Sequence, residues 1–360
     1  MVLDVETFVK LKQNIHNADQ FIQLRSLRDQ FQLSIQHNEQ IFHKDSISTW
    51  NVHINEVHDA FITRTIELTE IRMVGEGKGP PPTAYSYLLL GSAGRHEQTM
   101  ASDQDSALIF ENEDNLEEIK EYFKLFASKI VANLIELGYP PCDGKVQSNE
   151  DLWCQSVEEW KTKLEAWYED ASWESIRYLL IVADARCIYG NDSLFLEVKA
   201  FYRECLAARP YILERMIENT VQHKMLLGVF GQFITDRYGE YMGSIDVKYG
   251  AYIPLVNCFR WLALSEGVTT TSTLERIEQL MQAGVLPEQE LIAYRDAFEQ
   301  MLSLRLMAGY EYVDGMYEGV SKLNPKRLEA DEIKRLKKNL KLGRDLQRLV
   351  MKRYARRRTV

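Results

Sequence analysis

The chain has 360 residues, 43 Lys+Arg against 53 Asp+Glu, and a formal net charge of -10. That length holds two or three domains, and 45% hydrophobic with 27% charged residues excludes disordered and collagen-like chains. No apolar run approaches the roughly 20 residues of a membrane span, and the acidic balance argues against nucleic acid as the main partner. Asp4 and Glu6 stand where a secretory leader would carry basic residues. The five cysteines include no CxxC pair. A reduced, cytoplasmic protein without a disulfide framework or zinc site is the expectation.

Residues 1–74 read as a helical segment. Trp50, Ile54, Val57, Phe61, Leu68 and Ile71 recur at helical steps, with Arg64 interrupting the stripe. Gly75 to Pro82 then breaks any helix. A core is expected over 75–200. Ala84 to Leu90 and Ser106 to Phe110 read as buried strands, Leu116 to Leu137 as a helix stopped by Gly138-Tyr-Pro-Pro141, and Lys145-Val-Gln147 as strand-like. Helices are expected over Val157–Tyr168, Trp173–Ile188 and Leu194–Ala207. A C-terminal helical bundle is expected over 201–360, with helices from Pro210 to about Phe230, Ala251–Ser265, Thr273–Ala283, Glu288–Leu306 and Asp331–Ala355. The fold class is α+β, a short mixed sheet with flanking helices between two helical parts.

The chemistry concentrates between the first two strands. Gly91 and Gly94 let the backbone turn tightly after a strand and bring N–H groups to an anion, and Ser92 adds a hydroxyl. Asp103 and Asp105 are two apart at the start of the next strand, so both carboxylates share one face. Two such charges repel unless a cation lies between them, and Mg²⁺, a hard ion with oxygen ligands, suits the pair. A phosphate-cradling turn followed by paired carboxylates is the minimum kit for metal-assisted nucleotidyl transfer. Singly each piece is bland: Gly-Ser turns are common, and Asp-X-Asp often marks a solvated loop. Ten residues between Ser92 and Asp103, flanked by strands, make the joint pattern specific.

Gly91-Ser92 with Asp103-Gln-Asp105 resembles the signature of the DNA polymerase beta-like nucleotidyltransferase superfamily. Gly91 to Thr99 and Ser102 to Ile109 resemble, more narrowly, the nucleotidyltransferases related to the N-terminal part of PII-protein uridylyltransferase (GlnD-like). Leu137 to Gly144, Ser156 to Trp160, Asp184 to Gly190, Ile245 to Gly250, Thr273 with Arg276, Leu304-Arg305 and Asn324-Pro325 also follow that family's pattern. The resemblance implies a nucleotidyltransferase palm in which Gly91 and Ser92 hold the triphosphate and Asp103 and Asp105 bind Mg²⁺. Arg95 then neutralises phosphate charge, or alternatively pairs with Glu97 or Glu111. A third carboxylate is usual in the superfamily. Asp143 and Asp184 are the two candidates, and Asp184 has the alternative of a structural pair with Arg186 or Arg177. If neither serves, the chain binds nucleotide without transferring it.

Lys248, two residues after Asp246, either faces the nucleotide or forms a helix-start ion pair. His43, His53 and His58 fit no metal-ligand spacing. The basic stretch Lys334 to Arg358 reads as an amphipathic helix with a solvated face. The expected activity is transfer of UMP or AMP from UTP or ATP to an acceptor, with a regulatory protein as the acceptor. The alternative is a nucleotide-sensing protein without turnover.

Overall fold

The computed structural model describes residues 5–36, 47–221, 223, 225–228 and 231–357, with side chains to residue 353. Three helices lead: α1 (Val5–Asn17), α2 (Phe21–Gln36) and α3 (Ile47–Gly75). The α3 stripe is buried at Ile54, Val57, Phe61 and Leu68, but Ile71 is 61% exposed. Arg64 leaves the stripe to donate to the Ala18 carbonyl and pair with Glu67. The helix is long because it serves several neighbours, burying Asn51, Asn55, His58, Thr65 and Thr69 as well.

The core sheet has the order β3-β2-β1-β4. Its strands are β1 (Tyr85–Leu89), β2 (Ser106–Phe110), β3 (Cys154–Ser156) and β4 (Arg186–Gly190). β1 runs antiparallel to β2 and β4, while β2 and β3 are parallel. The sheet is therefore mixed, as the α+β expectation requires. Helix α5 (Leu116–Glu136) packs with α3 and stacks Phe123 on Phe110 of β2, and its Phe126 meets the Tyr85 ring edge-on. A second helix pair, α6 (Val157–Asp170) and α8 (Asp192–Ala208), also packs on the sheet. Both faces are thus covered, and β1 and β2 are buried at every position.

Three expected elements end elsewhere. Lys145-Val-Gln147 is irregular, and the neighbouring strand is Cys154–Ser156 instead. The helix expected to reach Ile188 is α7 (Trp173–Ala183), after which residues 186–190 turn into β4. Only Asp184 and Arg186 interrupt the apolar run from Leu179 to Ile188, so periodicity could not separate a buried helix end from a short strand. α9 (Tyr211–Thr220) stops ten residues short of Phe230, which lies outside the described residues.

The C-terminal bundle comprises α9, α10 (Ile253–Ser265), α11 (Thr273–Gln282), α12 (Glu288–Ala308) and α13 (Ala330–Arg357). A π-helical turn over Lys248–Tyr252 runs directly into α10. Two small ladders were not anticipated: β5 (Ile245–Asp246) with β8 (Lys322–Leu323), and the hairpin β6 (Tyr310–Val313) with β7 (Met316–Gly319). In α13, Leu336, Leu340, Leu346 and Val350 are buried while Arg335 and Arg348 pair at the surface. His53 is half-buried against Phe8, and His43 lies outside the described residues.

Candidate active site

The register of the sheet assembles the site. Leu89 pairs with Ser106 on one side and Arg186 on the other. The end of β1 therefore meets the beginnings of β2 and β4 along one sheet edge. There the chain makes α4 (Gly91–Gly94), a single turn. Gly91 has φ +53, and a Cβ on it would sit 2.0 Å from Asp105 Oδ2. A Cβ on Gly94 would sit 2.1 Å from the Asp184 carbonyl. The two glycines let Asp105 and the Asp184 backbone approach the turn more closely than any side chain would permit.

Asp103 and Asp105 face one cleft, as their spacing predicts. Gln104 between them points the other way, its Nε2 donating to the Tyr139 carbonyl at 3.0 Å. One ligand atom from each of Asp103, Asp105 and Cys142 lies within 4.8 Å of the others. Withdrawal from water, then the charge of Asp103, push the Asp105 carboxyl up to about 7, against the Cys142 thiol hydrogen bond, Lys248 and Arg95. The same seclusion, followed by the Asp105 charge, pushes the Cys142 thiol up to about 12. Paired carboxylates in that conflict fit a hard divalent cation, whereas the thiol is a poor ligand for one.

The loop joining the turn to Asp103 is held by its backbone. Every carbonyl from His96 to Met100 accepts a side-chain hydrogen bond. The donors are Asn51 to His96 (2.6 Å), Arg305 to Glu97 (2.9 Å), Asn55 to Gln98 (3.3 Å) and His58 to Thr99 (2.9 Å), with Arg28 (3.0 Å) and Gln32 (2.6 Å) both to Met100. All but Arg305 come from α2 and α3, so the leading helices fix the approach to the Asp pair. Arg28 is fully buried, and its guanidinium lies 4.3 Å from the Tyr139 ring centre.

His58 must donate from Nε2, because a carbonyl only accepts, and Nδ1 takes the Tyr139 hydroxyl at 2.8 Å. Burial, then the charge of Arg28, hold its pKa well below the usual value of 6.5. Below that pH the unfolded chain takes up a proton that the folded state refuses. His58 should therefore remove stability at up to about 1.4 kcal/mol per pH unit as pH falls from 6.5 to 5. Urea midpoints at both pH values should drop further in the wild type than in His58→Gln. Equal drops would acquit His58.

Asp184 lies at the C-terminal end of α7, fully buried. Its carboxylate meets Arg95 Nη1 (2.7 Å), Arg276 Nη2 (2.9 Å) and Arg260, whose Nε is 3.0 Å from Oδ1. The expected partners differ: Arg186 instead pairs with Asp59 and donates to the Ala93 carbonyl, and Arg177 is not among the groups on Asp184. Burial alone would raise the Asp184 carboxyl, but Arg260, Arg276 and Arg95 outweigh it and hold it far below the usual range. Arg95 also pairs with Glu97 (2.7 Å) and donates to the Tyr252 hydroxyl (2.8 Å). The Glu97 alternative for Arg95 is thus present. Tyr252 donates to Glu97, and the Arg305 guanidinium lies 4.1 Å from the Tyr252 ring centre.

Core and bundle enclose a cleft of about 630 Å³. Gly91, Ser92, Arg95, Asp103, Asp105, Asp143, Asp184 and Lys248 all line it; Gly94 does not, lying buried behind the turn. Asp143 is exposed on the cleft wall. Lys248 makes no ion pair with Asp246, which accepts from the Tyr249 N–H and pairs with Lys322. Cys142 and Arg305 fall within the family pattern without a role assigned to them, and Arg260 was missed. Arg260 has a visible signal, one charge inside the apolar run Leu255–Leu264, but its partner is 76 residues away.

Residues 37–174 match the family model described as "Putative nucleotidyltransferase DUF294". Residues 210–354 match that described as "Putative nucleotidyltransferase substrate binding domain". The first match holds the turn and the Asp pair; the second holds Lys248, Tyr252, Arg260, Arg276 and Arg305. No curated protein matches the chain. Among the described residues, no helix is long and apolar enough to cross a membrane.

Proposed function

The chain belongs to the DUF294 nucleotidyltransferase family, and from that premise we propose that it transfers UMP or AMP from UTP or ATP to an acceptor hydroxyl in a Mg²⁺-dependent reaction. The acceptor is a regulatory protein, as in the GlnD-like resemblance, and the setting is the cytoplasm. The work divides among a helical scaffold (1–74), a catalytic core (75–200) and a substrate-holding bundle (201–360). The observation that carries the reading is the Asp103–Asp105 pair packed against the Gly91-Ser92 turn.

Bound at that pair, Mg²⁺ supplies charge neutralisation for the triphosphate and the leaving pyrophosphate. Gly91 admits the phosphate to the backbone, the Ser92 hydroxyl donates to it, and Lys248 adds positive charge from the bundle. Arg95 contributes through its field, since Glu97, Asp184 and Tyr252 already engage its three nitrogens. The acceptor oxygen attacks the α-phosphorus, the bond to the β-phosphate oxygen breaks, and pyrophosphate leaves. Asp143, exposed on the cleft wall, takes the acceptor proton. Asp184 cannot do so readily while three guanidinium groups hold it ionised.

The test is pyrophosphate release from each of the four NTPs with Mg²⁺ and candidate acceptor proteins. Asp143→Asn should cut kcat by about 10²-fold or more with little change in KM. An unchanged kcat would remove Asp143 as the base. The engagement of Asp184 favours one second reading, a nucleotide sensor without turnover. That reading requires metal-dependent NTP binding with no pyrophosphate from any acceptor.

A further inference from the structure

Of six tryptophans, Trp173 alone is exposed, at 52%; Trp153, Trp160, Trp167 and Trp261 are buried and Trp50 is half-buried. It opens α7 and stands at the rim of the cleft. Arg177, Leu180, Ile181 and Asp184 follow it along the same wall. Exposure along this stripe goes from the half-exposed Trp173, through the half-buried Arg177 and Ile181, to Leu180 at 7% and Asp184 at 0%. Eleven residues of helical rise make the wall about 16 Å deep. At its floor, the Asp184 carbonyl touches the Gly91–Gly94 turn. The wall thus runs outward from the turn where the triphosphate is proposed to lie.

Two features suit this wall to a nucleoside. Among the described residues Arg177 has no hydrogen bond or salt bridge; its ring contact is with the adjacent Tyr178, and its Nη2 rests near Gly144. Across the cleft, Tyr249 is 47% exposed and lies 5.3 Å from the His223 ring, with Lys248 beside it. The mouth therefore carries aromatic faces and cations, the combination that holds a base by its π-face and an adjoining phosphate by charge.

We propose that Trp173 is the stacking platform for the nucleobase of the bound NTP, with Arg177 one helical turn deeper facing its sugar-phosphate. This rests on the reading that the triphosphate occupies the Asp103–Asp105 end. Ring-face stacking tolerates every base, so this platform supplies affinity, and discrimination between bases comes from other cleft groups.

The test uses Trp fluorescence and calorimetry with ATP, UTP and inorganic tripolyphosphate, each with Mg²⁺. In the wild type, ATP and UTP should quench emission and bind more tightly than tripolyphosphate. Trp173→Leu should abolish the quench and weaken ATP and UTP about 5- to 100-fold, leaving tripolyphosphate affinity unchanged; Trp173→Phe should restore most of it. Unchanged NTP affinity in Trp173→Leu would overturn the platform and leave the triphosphate site standing. So would a wild type that binds NTP no more tightly than tripolyphosphate. A wild type that binds neither overturns both readings together.

Discussion

Asp184→Asn is expected to destabilise the protein by about 3–5 kcal/mol, the range for breaking a buried ion pair from one side. Three buried guanidinium groups, Arg95, Arg260 and Arg276, converge on the buried Asp184 carboxylate, and Arg95 also pairs with Glu97. Removing the Asp184 charge leaves Arg260 and Arg276 without their buried carboxylate and Arg95 with Glu97 alone. The neighbouring Lys199 already registers the excess: burial, then Arg276, push its pKa down to about 7. Domain stability is about 5–15 kcal/mol in total, so the loss will show as a large fall in urea midpoint. The same experiment separates two roles. A destabilised variant that still binds Mg-NTP below its unfolding transition makes Asp184 an anchor. A variant of normal stability that binds nucleotide and has lost turnover makes it the third catalytic carboxylate.

The contacts around Asp184 tie core and bundle together at one cleft. Arg260, Arg276 and Arg305 come from three different bundle helices, and all reach back to Asp184 or to the Glu97 segment of the core. Tyr252, at the end of the π-helical turn that begins with Lys248, belongs to the same network. Positioning Lys248 over the Asp pair and holding the two parts together are therefore one structural act. A substitution at Arg276, out of the cleft lining, should disturb nucleotide binding through this network.

The turn and the Asp pair are legible in the sequence because their geometry is local. A strand ends, two glycines permit the turn, and period-two spacing sets the two carboxylates side by side. Most helices are legible for the same reason, since amphipathic stripes and breakers are short-range signals. The Asp184 network is not legible, because Arg95, Arg260 and Arg276 lie up to 92 positions from Asp184 in the chain and no local signal pairs them with it. Nor is the clamp on His96 to Met100, whose donors Asn51, Asn55 and His58 sit beside the apolar stripe of α3 with no local sign of the carbonyls they meet. Polar residues on a helix face otherwise built for burial mark a place where another segment's backbone must be satisfied.

Asp103→Asn with Asp105→Asn should abolish metal-dependent NTP binding and lower turnover by at least about a thousandfold. A cation at the reacting phosphate is worth several kcal/mol, and each 1.4 kcal/mol is tenfold in rate. The effect on the metal-free protein should have the opposite sign. Burial, and then the charge of Asp103, push the Asp105 carboxyl up to about 7. Neutralising both removes that cost, so the variant should unfold at a higher urea concentration than wild type at pH 8 without metal, by about 1 kcal/mol or more. Adding Mg-NTP should then stabilise the wild type and leave the variant unmoved, since only a state that binds ligand gains from it. Gly91→Ala provides the geometric control. It keeps both carboxylates but drives a methyl into Asp105 Oδ2 from a backbone at φ +53, so it should lose nucleotide binding and stability together. If the Asp variant is less stable than wild type without metal, the pair is held by partners other than a cation, and the metal assignment at this edge of the sheet falls.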